Sequence, residues 1–147
     1  MIVAPGGASC GAGCPGCLEG NASGRAIALA ARVAIEGGAH TILTPDADAA
    51  AVFAAAEAGD SLADAMVEGA MGHLAAGIAG LLAIFDQEVI ILGGGVAEGF
   101  VTRWDALIAA IQTRALPRYA SGVPVERTTL GDEVGLLGAA LWALGEG

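Results

Sequence analysis

The segment EVIILGGGVAEG, residues 88–99, decides how this chain is read. Glu88 to Leu92 is a short β-branched apolar run that halts at three consecutive glycines, the pattern of a buried strand entering a tight turn. Glycine lacks the Cβ that holds a ligand away from the backbone, and a helix N-terminus after such a turn attracts phosphate. Gly93, Gly94 and Gly95 are therefore candidates for lining a nucleotide, although a tight strand-to-helix turn without a ligand also accounts for them. Glu98 stands where the third glycine of a G-x-G-x-x-G fingerprint would fall, which disfavours a dinucleotide site.

Towards the carboxy terminus the pattern predicts a helix over 98–115, with Phe100, Trp104, Leu107, Ile108 and Ile111 on its apolar side and Pro117 ending it. A second strand is expected over 123–130 and a closing helix from about Asp132 and Glu133. Towards the amino terminus, Leu62, Met66, Ala70, Leu74, Ile78 and Leu82 recur at strict four-residue spacing beside a second row of Ala63, Val67, Met71 and Ala75. That spacing predicts a long helix buried on much of its circumference and capped by Asp60 or Ser61. Gly69, Gly72, Gly77 and Gly80 each cost it about 1 kcal/mol relative to alanine, which calls for a close neighbour such as another helix. Its uncharged stretch 69–85 touches the lower limit of about 17 residues for a membrane span. His73 within it, and Glu68, Asp86 and Glu88 flanking it without arginine, favour a buried core helix and no membrane partner.

Further upstream, Ala26, Leu29, Ala30, Val33 and Ala34 mark a helix ended by Gly37 and Gly38. A polar hinge with Pro45, Asp46 and Asp48 leads into a short helix over 49–58 that Gly59 stops. The opening, 5–20, reads as a loop rich in Gly, Cys and Pro. Strand, helix, strand, helix after a helical portion gives an α/β class with a large helical appendage, in one domain over 1–147 without repeats.

Composition narrows the function. The 147 residues are 55% hydrophobic and 15% charged, enough apolar material for one core. The formal charge is −10 and the six arginines, at 25, 32, 103, 114, 118 and 127, do not cluster, so nucleic acid is not an expected partner. The absence of lysine excludes the P-loop lysine and Schiff-base chemistry. No basic segment followed by an apolar one opens the chain, and a cytoplasmic location is expected. An odd number of cysteines, Cys10, Cys14 and Cys17, suits a metal site or free thiols better than a disulfide framework. At this spacing thiolates can converge on a tetrahedral zinc given one further ligand, such as a histidine. His40 and His73 stand outside that loop, and small buried thiols without metal are the alternative.

Taken together, these motifs resemble the ROK family of sugar kinases and sugar-responsive repressors. The family's Cys-x-Cys-Gly-x-x-Gly-Cys-x-Glu loop is matched by Cys10 to Glu19, and its Ser-Gly by Ser23-Gly24. Its Ile-x-Leu-Gly-Gly-Gly-Val turn is matched by Ile90 to Val96, and its Leu-Gly-Asp-x-x-Gly-Leu-x-Gly-Ala-Ala by Leu130 to Ala140. The resemblance implies the actin-like, ribonuclease-H-like ATPase fold, with this chain as the carboxy-terminal lobe carrying a helical insertion. It implies that Gly93, Gly94 and Gly95 line ATP, bound with Mg, that Glu19 accepts hydrogen bonds from the hydroxyls of a hexose, glucose first, and that the protein forms homodimers. It also implies a structural zinc, for which Cys10, Cys14 and Cys17 are the candidate ligands.

Two departures accompany the match. Ala12 occupies the place of the family's second cysteine, with Cys14 displaced from it, and the family's histidine ligand belongs to a Glu-x-Gly-His segment expected just upstream of this sequence. The catalytic Asp of the family's Asn-Asp motif has no counterpart, since Asn21 is the single asparagine, and no Asp-x-Gly-x-Thr phosphate loop occurs. No catalytic residue is therefore assigned. Phosphoryl transfer depends on several groups acting at once, so the chain alone is expected to be inactive. The alternative is the sugar-sensing or dimerisation lobe of a ROK repressor, with a free-standing zinc or structural module as a third reading.

Overall fold

The structure, a computed structural model, describes residues 1–120 and 122–145. Its opening segment is pinned back on itself: the Leu18 N–H donates to the Met1 carbonyl at 3.0 Å, and antiparallel bridges join Ile2 to Cys17 and Ser9 to Pro15. The loop ends sooner than the glycine pattern predicts, in helix α1 (Leu18–Ala22), because the Cys17 sulfur caps that helix by accepting the Gly20 N–H at 3.3 Å. Ser23 caps α2 (Gly24–Glu36), which Gly37 closes, and Asp48 caps α3 (Ala49–Glu57). Both caps satisfy N–H groups that a helix start leaves without a partner.

Asp60, and not Ser61, caps α4 (Ser61–Phe85). Its Oδ1 accepts the Ala63 N–H at 2.9 Å, while Oδ2 accepts the Thr41 hydroxyl and the Ile42 N–H, both at 2.8 Å. One carboxylate thus ties the segment after α2 to the start of α4. The Ala63 and Ile42 N–H groups stabilise its charged form and hold the Asp60 carboxyl below the usual carboxylate range.

Helix α4 buries Ala63, Val67, Ala70, Met71, Ala75, Ile78 and Leu82, whereas Leu62, Met66 and Leu74 are half-buried. The row of smaller residues faces the core, where α1, α3 and the helix over Trp104–Arg114 come close. At Gly77 the neighbour is a helix, since a Cβ there would stand 3.2 Å from Leu18 of α1, but no atom lies within 4 Å of the corresponding position at Gly69. By length and composition α4 could cross a membrane, yet its apolar stripe is engaged by the core helices. Asp86 ends it in the left-handed conformation, φ 52°, and accepts the Tyr119 hydroxyl at 2.7 Å.

Strand β1 (Ile90–Leu92) leads through the glycine turn to α5 (Gly95–Gly99), a 3-10 turn (Val101–Arg103) and α6 (Trp104–Arg114). The single helix expected over 98–115 is divided: α5 ends at Gly99, whose absent Cβ would lie 2.4 Å from the Phe53 ring, and Phe100 turns inward. Phe100 is fully buried and meets Phe53 edge to face, with ring centroids 5.1 Å apart. Arg103 then pairs with Glu57 of α3 at 3.2 Å and with Asp64 and Glu68 of α4 at 2.6 and 3.2 Å. Pro117 opens a further short helix, α7 (Pro117–Ala120), in keeping with proline's fitness for a first helical position.

Strand β2 (Val125–Arg127) runs parallel to β1 in the register Ile90 to Val125, Ile91 to Glu126 and Leu92 to Arg127. Ile90, Leu92 and Val125 pack on the helical core, but Ile91 is 64% exposed. The strand is thus buried on one face and not on both, as its unbroken apolar sequence suggested. A 3-10 turn (Gly131–Glu133) leads into α8 (Val134–Ala143), where the closing helix is expected.

Two substitutions test this packing. Phe100→Ala should lower the unfolding free energy by about 3–5 kcal/mol in a urea titration, the range for emptying a fully buried phenylalanine site. Asp60→Ala should lower Tm at neutral pH. A depressed folded-state pKa stabilises the fold above the ordinary Asp range, and that stabilisation is lost as the pH falls through the lowered value, so the Tm gap between Asp60→Ala and the parent should close in acid.

Candidate functional site

The Ser23 and Asp48 caps set the starts of α2 and α3 beside the glycine turn. Between them lies a cavity of about 620 Å³, with Gly24 on the α2 side and Ala49, Ala50 and Phe53 on the α3 side. Gly95, Val96, Glu98 and Gly99 of α5 close it. Its size falls in the range of small-molecule sites, and its walls are largely apolar side chains and bare backbone.

The three glycines expected at a nucleotide are separated by their roles. A Cβ on Gly93 would stand 2.8 Å from Thr128 Cγ2, so this residue is small because the segment after β2 packs on it. Gly94 has φ 87°, which a side chain would strain. Gly95 alone of the three lines the cavity, with no atom within 4 Å of where its Cβ would be. Glu98 is the one ionisable residue on the wall, and Arg127 of β2 donates to its Oε2 at 3.0 Å. The cavity therefore offers an apolar slot beside an ion-paired carboxylate, with no other acid or base among its described lining residues.

Glu19 stands in the first turn of α1 with its side chain exposed, outside the cavity wall. Among the described residues its carboxylate takes part in no hydrogen bond or ion pair, which leaves its oxygens free to accept from hydroxyls. Asn21 is a structural staple: its Nδ2 donates to the Cys17 carbonyl at 2.8 Å and the Ala8 carbonyl at 3.1 Å, and its Oδ1 accepts the Ala8 N–H at 3.3 Å.

Cys10 and Cys17 are buried, Cys14 is exposed, and all three are free thiols. The Cys14 and Ala12 backbone N–H groups, followed by the Cys17 thiol, lower the Cys10 pKa, and the hydrogen bond and charge of Cys10 raise that of Cys14. The thiols are neighbours, yet among the described residues no group of three or more His, Cys, Asp or Glu is placed to hold a metal ion. Cys14, displaced from position 12, is exposed beside the Ser9–Pro15 bridge, so two of the three thiols are buried and one is not. His40 is exposed, and His73 of α4 lines a different cavity, of about 210 Å³, with its Nδ1 buried and unpartnered. The residues present do not fit the zinc set expected from Cys10, Cys14 and Cys17.

The α3 wall was not singled out as functional in the sequence. Its signal was the Asp48 cap with Ala49 and Phe53 one turn apart, which places both on one face.

Residues 1–146 match the ROK family along almost the full chain. The chain belongs to the ROK family. It is 33% identical to a glucokinase of Halalkalibacterium halodurans, over 93% of this chain and 43% of that protein. It is 38% identical to an N-acetylmannosamine kinase of Yersinia pestis, over 95% of this chain and 43% of that protein. The crystal structure of a ROK hexokinase from Thermus thermophilus superposes with a TM-score of 0.81 at 36% identity, covering 97% of this chain and 45% of the hexokinase. A ROK family transcriptional regulator, homologous to the E. coli MLC protein, gives 0.74 at 27% identity, covering 86% and 33%. A ROK glucokinase from Streptomyces griseus, in complex with glucose and AMPPNP, gives 0.67 at 27% identity, covering 95% and 48%. The fold is thus that of the ROK sugar kinases, actin-like and ribonuclease-H-like, and the chain spans less than half the length of the relatives it matches.

The cysteine geometry is open to a direct check. In the native chain one thiol, Cys14, should react readily with an aromatic disulfide reagent and all three should react in denaturant, while added chelator should leave Tm unchanged.

Proposed function

We propose that this chain is the nucleotide-binding lobe of an ATP-dependent ROK hexose kinase, with glucose as the first candidate sugar. The observation that carries this reading is the 620 Å³ cavity against Gly95 and Gly24, where a purine can lie on backbone between Val96 and Phe53. The Streptomyces griseus relative, with glucose and AMPPNP in its structure, supports ATP and a hexose as ligands. In this reading Mg accompanies the nucleotide and supplies charge neutralisation at its phosphates, and the Arg127–Glu98 pair keeps an uncompensated carboxylate away from them. Glu19, free and exposed, accepts from sugar hydroxyls. The attacking hydroxyl must lose its proton to a base this chain does not carry, so turnover requires the part of the fold found in the relatives and not here.

A second reading, the sensing lobe of a repressor, is favoured by the match to the transcriptional regulator. The two differ in nucleotide binding.

Calorimetric titration with AMPPNP separates them. At Gly24 a Cβ would stand 3.5 Å from the Ala49 Cβ and 3.8 Å from Val96, in ordinary contact, so Gly24→Ala should bind nearly as the parent does. Gly24→Leu should fill the slot and abolish binding without lowering Tm. No binding by the parent chain favours the repressor reading. Glucose phosphorylation by the 147-residue chain alone would refute the claim that its base lies elsewhere.

A further inference from the structure

A second cleft opens between α2 and the segment leading into α3. It measures about 430 Å³, with Arg25, Leu29 and Arg32 of α2 on one side and Pro45, Asp46 and Asp48 on the other. Arg25 and Arg32 lie two helical turns apart, so they share one face of α2 about 10 Å apart along its axis. Among the described residues neither takes part in a hydrogen bond or ion pair, although Arg25 Nη2 lies 4.0 Å from where a Gly11 Cβ would stand. The other arginines all have partners. Arg103 has its carboxylates, Arg114 the Ala110 carbonyl at 3.0 Å, Arg118 Asp86 at 3.9 Å and Arg127 Glu98. The acids across the cleft are engaged locally. Asp48 Oδ1 accepts the Ala51 N–H at 2.8 Å, and the Thr44 hydroxyl, followed by its own backbone N–H, holds the Asp46 carboxyl below the usual range.

We propose that this cleft binds a small phosphate ester carrying hydroxyl groups, its phosphate held by Arg25 and Arg32 and its hydroxyls by Asp46 and Asp48. Guanidinium is planar and permanently charged, and its paired N–H groups match the oxygens of a phosphate. In a chain of formal charge −10, two guanidiniums left open on one wall are where an anion gains most. The carboxylates opposite decide the rest of the ligand. A carboxylate oxygen accepts from a hydroxyl, whereas a polyphosphate or a nucleic acid would set further negative charge against Asp46 and Asp48. The volume lies in the range of small-molecule sites, and Leu29 and Pro45 offer apolar contact to a carbon skeleton. Gly24 precedes Arg25 and Ala49 follows Asp48, so the cleft adjoins the nucleotide cavity without sharing a lining residue with it. Occupation of the cleft does not require nucleotide in the cavity.

The test is calorimetric titration of the 147-residue chain with glucose 6-phosphate, inorganic phosphate and tripolyphosphate in turn. Glucose 6-phosphate should bind most tightly and inorganic phosphate more weakly, and both should weaken as salt is raised. Arg25→Gln and Arg32→Gln should each weaken glucose 6-phosphate by about tenfold or more, the loss that follows removal of a charge-assisted hydrogen bond. Arg114→Gln makes the same charge change at an exposed position outside the cleft and should bind as the parent does. All three side chains are exposed, so these variants should keep the parent's Tm. Equal binding of glucose 6-phosphate by the parent and both cleft variants overturns the proposal, and so does the absence of heat from every phosphate. Displacement of glucose 6-phosphate by AMPPNP overturns it by placing the ester in the cavity, and tighter binding of tripolyphosphate does so by making the cleft a polyanion site. A parent chain that binds glucose 6-phosphate through Arg25 and Arg32 but takes no AMPPNP upholds the cleft and fails the nucleotide reading, so the two failures are separate results.

Discussion

Everything in this fold leans on the close approach that α4 allows along its small-residue stripe. A helix of 25 residues is about 37 Å long, enough to run the length of a small domain. Alanine at 63, 70 and 75 and glycine at 77 let α1, α3 and α6 come near the helix axis, while Val67, Ile78 and Leu82 fill the remaining space. The helix gives up intrinsic propensity at its glycines and regains stability from tertiary contact, the usual source of helix stability in folded proteins. Larger residues along that stripe would push α1 and α3 outward. Those two helices place, directly or through Ser23, the features a ligand would meet.

The site is accordingly a product of helix starts. Ser23 and Asp48 each satisfy an N–H within their own helix, and in doing so they fix where Gly24 and Ala49 stand. Opposite them the glycine turn is held by packing of Thr128 on Gly93 and by the left-handed backbone at Gly94, so that Gly95 is presented bare. Electrostatics are handled locally. In a chain of formal charge −10 the wall carries a single carboxylate, and an arginine from the neighbouring strand neutralises it. Exposed pairs of this type add little to stability, so the effect of Arg127 is better sought in the potential at the cavity than in the unfolding free energy.

How far the sequence reveals this depends on whether the signal is local. Gly37, Gly59 and Asp60 mark element ends through backbone chemistry confined to a turn, and the structure places the ends there. The demand for glycine at position 99 is different, because it comes from Phe53, 46 residues away, whose ring takes the space a Cβ would need. The same distance hid the α3 wall of the cavity. Of the triglycine, periodicity cannot say that one residue serves packing, one a dihedral angle and one the cavity. For the cysteines, short spacing permits convergence on a metal but does not reveal burial, which differs among them: Cys10 and Cys17 are buried and Cys14 is exposed. An apolar helix such as α8 reads as core in any sequence, and only the structure reveals that none of its residues is buried.

Stability and function are consequently distributed unequally. Helices α2, α3, α4 and α6 share one continuous core, whereas among the described residues the sheet has two strands of three residues and borrows its one covered face from that core. Local opening free energies follow such differences in burial, so the β1–β2 pair and α8 lie at the low end and α4 at the high end. The cavity straddles the boundary, with Gly24 and Phe53 on the well-packed side and Gly95 on the turn beyond β1. A ligand seated there would contact both, and its binding free energy would add to the stability of the weaker part by mass action.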